Sequence, residues 1–351
     1  MSFTIQEPRV SIADTPATPS GDLSGWRQIV ARYTRPSIRK SVWQMCSTLL
    51  PLFLSYWLMY LSLSVSYWLT LALALPAAGL TVRTFIIMHD CGHGSFFPSR
   101  TWNDIVGFIT GVLTATPYAQ WRRDHAIHHA TSGDLEERGV GDINTLTVRE
   151  YLELSWWGRL KYRVYRNPLT LLAIGPIHLF ISHRIPLRRG GTTAQDRRSV
   201  WLTNLAITAL FIAFSVWIGW WTVLKLYFPV FMISGAAGIF LFYVQHQFED
   251  AYWDRKPVWE YPVAALYGSS YFKLPRVLQW FSGNIGLHHV HHLSPKIPNY
   301  ALQSCHDENP AFQQVVTLTL RDSWHTLKLR LWDEDQKRMI GWRTLREIRR
   351  G

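Results

Sequence analysis

The sequence predicts an all-α, polytopic membrane protein: four transmembrane helices in two hairpins, with a cytosolic helical cap carrying a two-metal site. Three observations carry this expectation. Four apolar runs, each near the ~20 residues needed to cross hydrocarbon, come in two adjacent pairs. Lys and Arg crowd the segments outside the pairs and leave the turns within them almost uncharged. Histidines recur at helical spacing, beginning where the second run ends.

Composition agrees once its distribution is considered. The 351 residues are 48% hydrophobic with 18 Trp and 15 Tyr, yet mean hydropathy is close to zero. Long charged segments dilute the apolar ones, so segregation sets the class.

In chain order, the first 25 residues are polar, rich in Pro, Ser and Thr, and include Glu7, Asp14 and Asp22. They read as neither a signal peptide nor an acid-poor transit peptide, and residues 1–40 form a polar, disordered or interfacial N-terminal segment. Runs 44–63 and 64–82 make a tight hairpin, and Arg83 marks the exit of the second, snorkelling to the headgroups, with a buried functional charge as the sharper alternative. The shorter apolar pieces 105–119 and 169–182 contain Gly, Pro or His and suit interfacial or re-entrant helices. Runs 201–224 and 226–246 form the second hairpin. A central domain thus spans 41–310, and the basic tail 311–351, with TLKLRLW and MIGWRTLREIRR, reads as a cap or interfacial helix.

Charge gives orientation. Arg27, Arg32, Arg35, Arg39 and Lys40 precede the first run, Arg residues populate 83–198, and LREIRR ends the tail, whereas only Lys225 lies in a hairpin turn. The positive-inside rule places both termini and the middle segment in the cytosol. Cys46, Cys91 and Cys305 are too scattered for a disulfide framework or a thiolate metal site. A net charge of +12 suits anionic headgroups or an acidic protein partner. No nucleic-acid module accompanies it, so no nucleic-acid role is expected.

The histidines carry the chemistry. His89 and His93 in HDCGH are four apart; His125, His128 and His129 in HAIHH stand at i, i+3 and i+4; His288, His291 and His292 in HHVHH repeat that spacing. Each set shares one helical face. His246 ends the fourth run. By the charge argument all lie on one membrane face, offering nine imidazoles. A structural zinc closes with four ligands, so two metals are the natural capacity. Imidazole suits Fe, Cu, Zn and Ni, and no HExxH glutamate is present. Neutral nitrogen donors fit two irons that activate dioxygen, although the spacing does not name the metal.

The boxes HDCGHGSFF, HAIHHATSGDLEERGVGDINTLTVREY, FYVQHQFEDAYW and NIGLHHVHHLSPKIPNY resemble the membrane-bound histidine-box fatty acid desaturases over residues 40–310, specifically bacterial acyl-lipid enzymes of the delta-5 and omega-6 (delta-12-like) branch. The resemblance implies a di-iron enzyme of the bacterial inner membrane with a cytosolic site, using O2 and two electrons to remove two hydrogens from a lipid acyl chain. It carries the ligand role to His89, His93, His125, His128, His129, His288, His291 and His292, with His246 as the additional histidine.

Other residues have plainer readings. His289 sits off the ligand face; His178, His183, His306 and His325 read as packed or exposed. Asn284 is one turn before His288 if that helix extends so far, placing it to bond a metal-bound water or to cap the helix. Asp90 and Asp124, ahead of Asp142 and Glu249, are candidates to accept the spare N–H of ligand histidines. No haem motif, dinucleotide fingerprint or Cys cluster is present, so electrons are expected from a separate ferredoxin or flavodoxin with its reductase. A di-iron hydroxylase or ketolase shares the boxes and stays an alternative. A metal transporter fits less well, because its ligands would lie at the bilayer midplane.

Overall fold

The computed structural model describes residues 25–186 and 191–350; most of the N-terminal segment expected to be disordered lies outside them. The short α1 (Trp26–Ala31) precedes α2 (Ile38–Ser62), which starts at Ser37, whose hydroxyl accepts from the Lys40 amide. After a tight turn, α3 (Tyr67–His93) runs back, with Thr70 bonded to Ser62 across the turn at 2.7 Å. Gly94, at φ +64°, stops α3 one residue after His93. Its left-handed geometry lets the amides of Gly94 and Ser95 cap the carbonyls of Cys91 and Asp90.

Two helices pack beside the end of α3: α4 (Arg100–Leu113) and α5 (Tyr118–Thr131). Next come α6 (Val148–Glu153), α7 (Trp156–Tyr165) and a π turn at Thr170–Ile174 leading into α8 (Gly175–Arg184). The second hairpin is α9 (Ala194–Ile218) and α10 (Trp220–His246), broken at Gly219, φ +85°. The break therefore falls at the glycine, not near Lys225 as the hydropathy boundary suggests; Lys225 lies within α10. The chain continues through α11 (Tyr261–Tyr267), β1 (Tyr271–Phe272), α12 (Arg276–Phe281), α13 (His288–Leu293), α14 (Asn299–Asp307) and β2 (Thr317–Leu318), the last parallel to β1.

Four helices, α2, α3, α9 and α10, are long and apolar enough to span a membrane. Their outer faces expose Trp68, Leu75, Leu205, Val216 and Trp217, an apolar surface that suits lipid contact. The shorter α4 and α8 likewise expose Trp102, Ile105 and Ile109, and Ile177, Leu179 and Ile181, as interfacial helices do. At ~1.5 Å per residue, the 27 residues of α3 and of α10 exceed the ~30 Å of hydrocarbon by about 10 Å. Each is the second helix of its hairpin, so both project from the same membrane face. That geometry carries His89, His93 and His246 out of the lipid.

Two further expectations change. Arg83 does not snorkel: its Nε donates to Thr48 Oγ1 at 3.1 Å, its Nη1 donates to the Trp280 carbonyl, and its guanidinium stacks on the Trp280 ring. It fastens α12 to the first hairpin. The tail is not one helix: α15 (Leu320–Thr326) and α16 (Trp342–Ile348) flank an antiparallel pair, β3 (Leu329–Asp333) and β4 (Arg338–Gly341). The apolar–basic alternation in KLRLW has period two, a strand signature, and Leu331 is buried against Tyr151 and Tyr162 of the cap.

Candidate metal centre

Four elements deliver the histidines. His89 and His93 stand one turn apart on α3; His125, His128 and His129 occupy α5; His246 ends α10; His288, His291 and His292 are half of the six residues of α13. They form two groups. His89, His93, His125, His129 and His291 offer nitrogens all within 4.8 Å of one another, and so do His128, His246, His288 and His292. The groups adjoin through His129 and His292, whose rings stack at 4.2 Å.

The donor set fits two metal ions. Nε2 atoms approach at 3.1 Å between His125 and His129, 3.0 Å between His129 and His291, and 2.9 Å between His246 and His288. About 3 Å is the separation of two nitrogens that each stand ~2.1 Å from a shared ion at right angles. His93 Nε2, His128 Nε2, His129 Nδ1, His288 Nδ1 and His292 Nε2 are buried with no hydrogen-bond partner. Orphaned polar atoms in such number are costly. A cation within each group would satisfy His93, His128 and His292 Nε2, whereas His129 and His288, which meet their group neighbours through Nε2, would not use Nδ1 there.

Carboxylates aim the rings. Asp90 Oδ1 lies 3.0 Å from His89 Nδ1, while its Oδ2 accepts from both the backbone amide and Nδ2 of Asn299, at 2.7 and 2.8 Å. Asp142 bonds His128 Nδ1. An ionised carboxylate only accepts, so each ring carries its proton on Nδ1 and turns a bare Nε2 to its group. His246 Nδ1 faces the Gly268 carbonyl at 3.3 Å. Trp121 stacks on His125 at 4.4 Å, and Phe242 packs against both His128 and His246.

Asp124 is placed against Arg123, 2.9 Å from its Nη1, and Glu249 against Arg338. Asn284 lies outside α13, which begins at His288; it adopts φ +58° and donates to the Asn299 carbonyl at 3.0 Å. His289 is in neither group, its Nε2 3.1 Å from His306 Nδ1. Sequence reasoning missed Asn299, Trp121 and Phe242. Trp121 and Phe242 stand at i−4 from His125 and His246 on the same helices, a spacing that could have found them, whereas Asn299 carries no such signal. A cleft of about 360 Å³ opens onto His93 between Arg100, Arg122 and Lys296.

The profile of a family described as "Fatty acid desaturase" matches residues 65–322. The chain belongs to the fatty acid desaturase family. Among its relatives, the "Fatty acid desaturase" of Bacillus subtilis (strain 168) is 49% identical over 91% of this chain and 90% of its own length. The "sn-1 oleoyl-lipid 12-desaturase" of Anabaena variabilis is 27% identical over 81% and 80%. The "sn-1 acyl-lipid omega-3 desaturase (ferredoxin)" of Synechocystis sp. is 29% identical over 62% and 61%. The two histidine groups are thus the di-metal site of a desaturase, an oxidoreductase, and the transporter alternative falls.

Burial, reinforced by neighbouring imidazoles, holds His125, His129, His288, His291 and His292 of this desaturase well below the ordinary imidazole range, which keeps them neutral as metal ligation requires. Burial, then His306, also pushes His289 down to about 3. The unfolded chain takes up these protons below about pH 6.5 and the folded chain does not, so stability is present above that pH and lost as pH falls. The metal-free desaturase in detergent should therefore melt at a lower temperature at about pH 5.5 than at about 7.5; a higher Tm in acid would contradict the burial argument.

Proposed function

We propose that this chain is a bacterial acyl-lipid desaturase of the delta-5 and omega-6 (delta-12-like) branch, removing two hydrogens from a membrane lipid acyl chain. The observation that carries the proposal is the pair of histidine groups gathered at the C-terminal ends of α3 and α10, two helices longer than the hydrocarbon is thick. His89, His93, His125, His129 and His291 would hold one iron, and His128, His246, His288 and His292 the other. When bound, the irons supply the redox chemistry, in which O2 and two electrons accompany the loss of two acyl hydrogens.

The chain's own residues prepare that chemistry. Asp90 and Asp142 hold protons on the Nδ1 atoms of His89 and His128, and the four-histidine group, buried throughout, excludes bulk water. The body over 41–310 carries the site, and the basic tail 311–351 is a separate C-terminal segment whose described part packs on the cap at Tyr151 and Tyr162. The termini and the site face the cytosol of a bacterial inner membrane, in line with the Lys and Arg distribution. A separate ferredoxin or flavodoxin, with its reductase, supplies electrons. The "(ferredoxin)" in the name of the Synechocystis relative supports the donor class, and the acyl-lipid names of the cyanobacterial relatives support the lipid-linked substrate.

The test is a fatty-acid profile of membranes from a host expressing the chain with iron and a working donor. The expected product is an acyl species lighter by two hydrogens, its double bond located by derivatisation. A double bond outside the delta-5 and omega-6 positions would overturn the branch. A product heavier by one oxygen would make the enzyme a hydroxylase. No new lipid-linked species would overturn the substrate class.

A further inference from the structure

Behind the four-histidine group lies a buried cation that the reading above does not use. Arg166, which follows the last residue of α7, is 0% exposed. Its Nη1 donates to the Asn144 carbonyl at 3.0 Å and Thr145 Oγ1 at 2.8 Å. Its Nη2 donates to Gln247 Oε1 at 2.6 Å, Tyr243 Oη at 3.2 Å and, at 3.4 Å, the Leu329 carbonyl. Among the described residues no carboxylate pairs with it. Burying a guanidinium without a counter-charge costs stability, so the arrangement calls for another rationale.

The acceptors supply it. Asn144 and Thr145 belong to the segment that begins at Asp142, the residue that turns His128 toward its group. Tyr243 and Gln247 lie one turn apart at the end of α10, on either side of His246. Thr145 Oγ1 and Gln247 Oε1 are themselves 3.1 Å apart, so one guanidinium ties the two segments at a shared point. The neighbouring face of α7 reinforces the clasp: Tyr162 Oη accepts from the Leu146 amide and Tyr165 Oη from the Asn144 amide, each at 3.0 Å. A planar fork of five donors can serve acceptors on two segments at once, whereas a lysine ammonium cannot hold that plane. None of these contacts involves the five-histidine group.

We propose that Arg166 is a positioning residue for the four-histidine group alone, fixing the separation of His128 and His246 by fastening the 142–145 segment to the end of α10. This rests on the reading of that group as a metal site. The experiment loads purified full-length chain in detergent with ferrous iron under anaerobic conditions and measures iron bound per chain against a competing chelator. Arg166→Met should weaken one of two irons by about tenfold or more, within the range of outer-shell changes at metal sites. Thr145→Val should act in the same direction and less.

Site assignment comes from backgrounds. In His93→Ala/His291→Ala, which leaves three imidazoles in the five-histidine group, Arg166→Met should weaken the remaining iron by the same factor; in His128→Ala, it should cost nothing further. A general packing role would instead weaken both irons alike. A folded Arg166→Met chain holding two irons at wild-type affinity, or losing iron equally in both backgrounds, would overturn the proposal. Should Arg166→Met not fold, Thr145→Val carries the same contrast, and equal loss in the two backgrounds would again overturn it. A wild-type chain that binds no iron would overturn the reading of the site itself, a failure distinct from that of Arg166.

Discussion

Replacing His128 with alanine is expected to abolish desaturation and to remove one of two bound metals. His128 is fully buried, its Nδ1 is committed to Asp142, and its Nε2 has no partner other than the group it shares with His246, His288 and His292. Alanine leaves three imidazoles and a void where the fourth ring stood. The void cannot supply a nitrogen, because the nearest histidines of the other group are already clustered among themselves. Even changes to groups that only orient ligands cost ~10–100-fold in metal affinity or activity, so losing a ligand should cost at least ~100-fold in unsaturated product. Mass spectrometry of host lipids reads the product, and elemental analysis of the purified chain should fall from about two irons to about one. Unsaturated lipid at wild-type level would remove His128 from the site.

Much of the centre was legible because helical spacing is a local property. The intervals i, i+3 and i+4 in HAIHH and HHVHH put three rings on one face whatever surrounds them, and the structure gathers these rings as the spacing implies. Hydropathy located the hairpins for the same reason. Where helices end was less legible, since helix bounds follow caps and turns: Gly219 sets the second hairpin's turn and Gly94 stops α3, while apolar content alone put these limits elsewhere. Asn284 shows the limit from the other side. Its spacing from His288 had meaning only on a continuous helix, and a left-handed turn intervenes.

Contacts made by tertiary folding were the least legible. Asp90 follows His89 directly, so adjacency suggested its role. Asp142 is 14 residues from His128 and reaches it only because the loop after α5 folds back over the site. Adjacency favoured Asp124 over Asp142 for the same task, yet on α5 Asp124 precedes His125 and its carboxylate meets Arg123. Arg83 was misplaced for a related reason. A lone arginine at a span's end looks like an anchor until α12, nearly 200 residues later, delivers the Trp280 carbonyl to it.

The two orienting carboxylates should respond differently to the same change, and Asp90→Asn should be the more damaging. Both oxygens of Asp90 are in use, one by His89 Nδ1 and the other by two N–H groups of Asn299. An asparagine there has one acceptor for both tasks. With its oxygen toward Asn299, its NH2 faces His89 and forces the ring proton onto Nε2, where it blocks ligation. With the oxygen toward His89, the NH2 opposes two donors in a buried setting, at about 1–3 kcal/mol for unsatisfied groups. Asp142 differs, because its Oδ2 is buried with no partner. After Asp142→Asn, the new side chain can keep its oxygen on His128 and turn the amide to the unused side, losing charge but not the tautomer. Asp90→Asn is therefore expected to lower Tm and to weaken one iron by ~10–100-fold, with Asp142→Asn closer to wild type on both measures. Thermal melts of the metal-free chains and chelator competition on the loaded ones decide this. If Asp90→Asn melts and binds like wild type, the carboxylate is not what sets the His89 ring, and the tautomer argument for the five-histidine group fails with it.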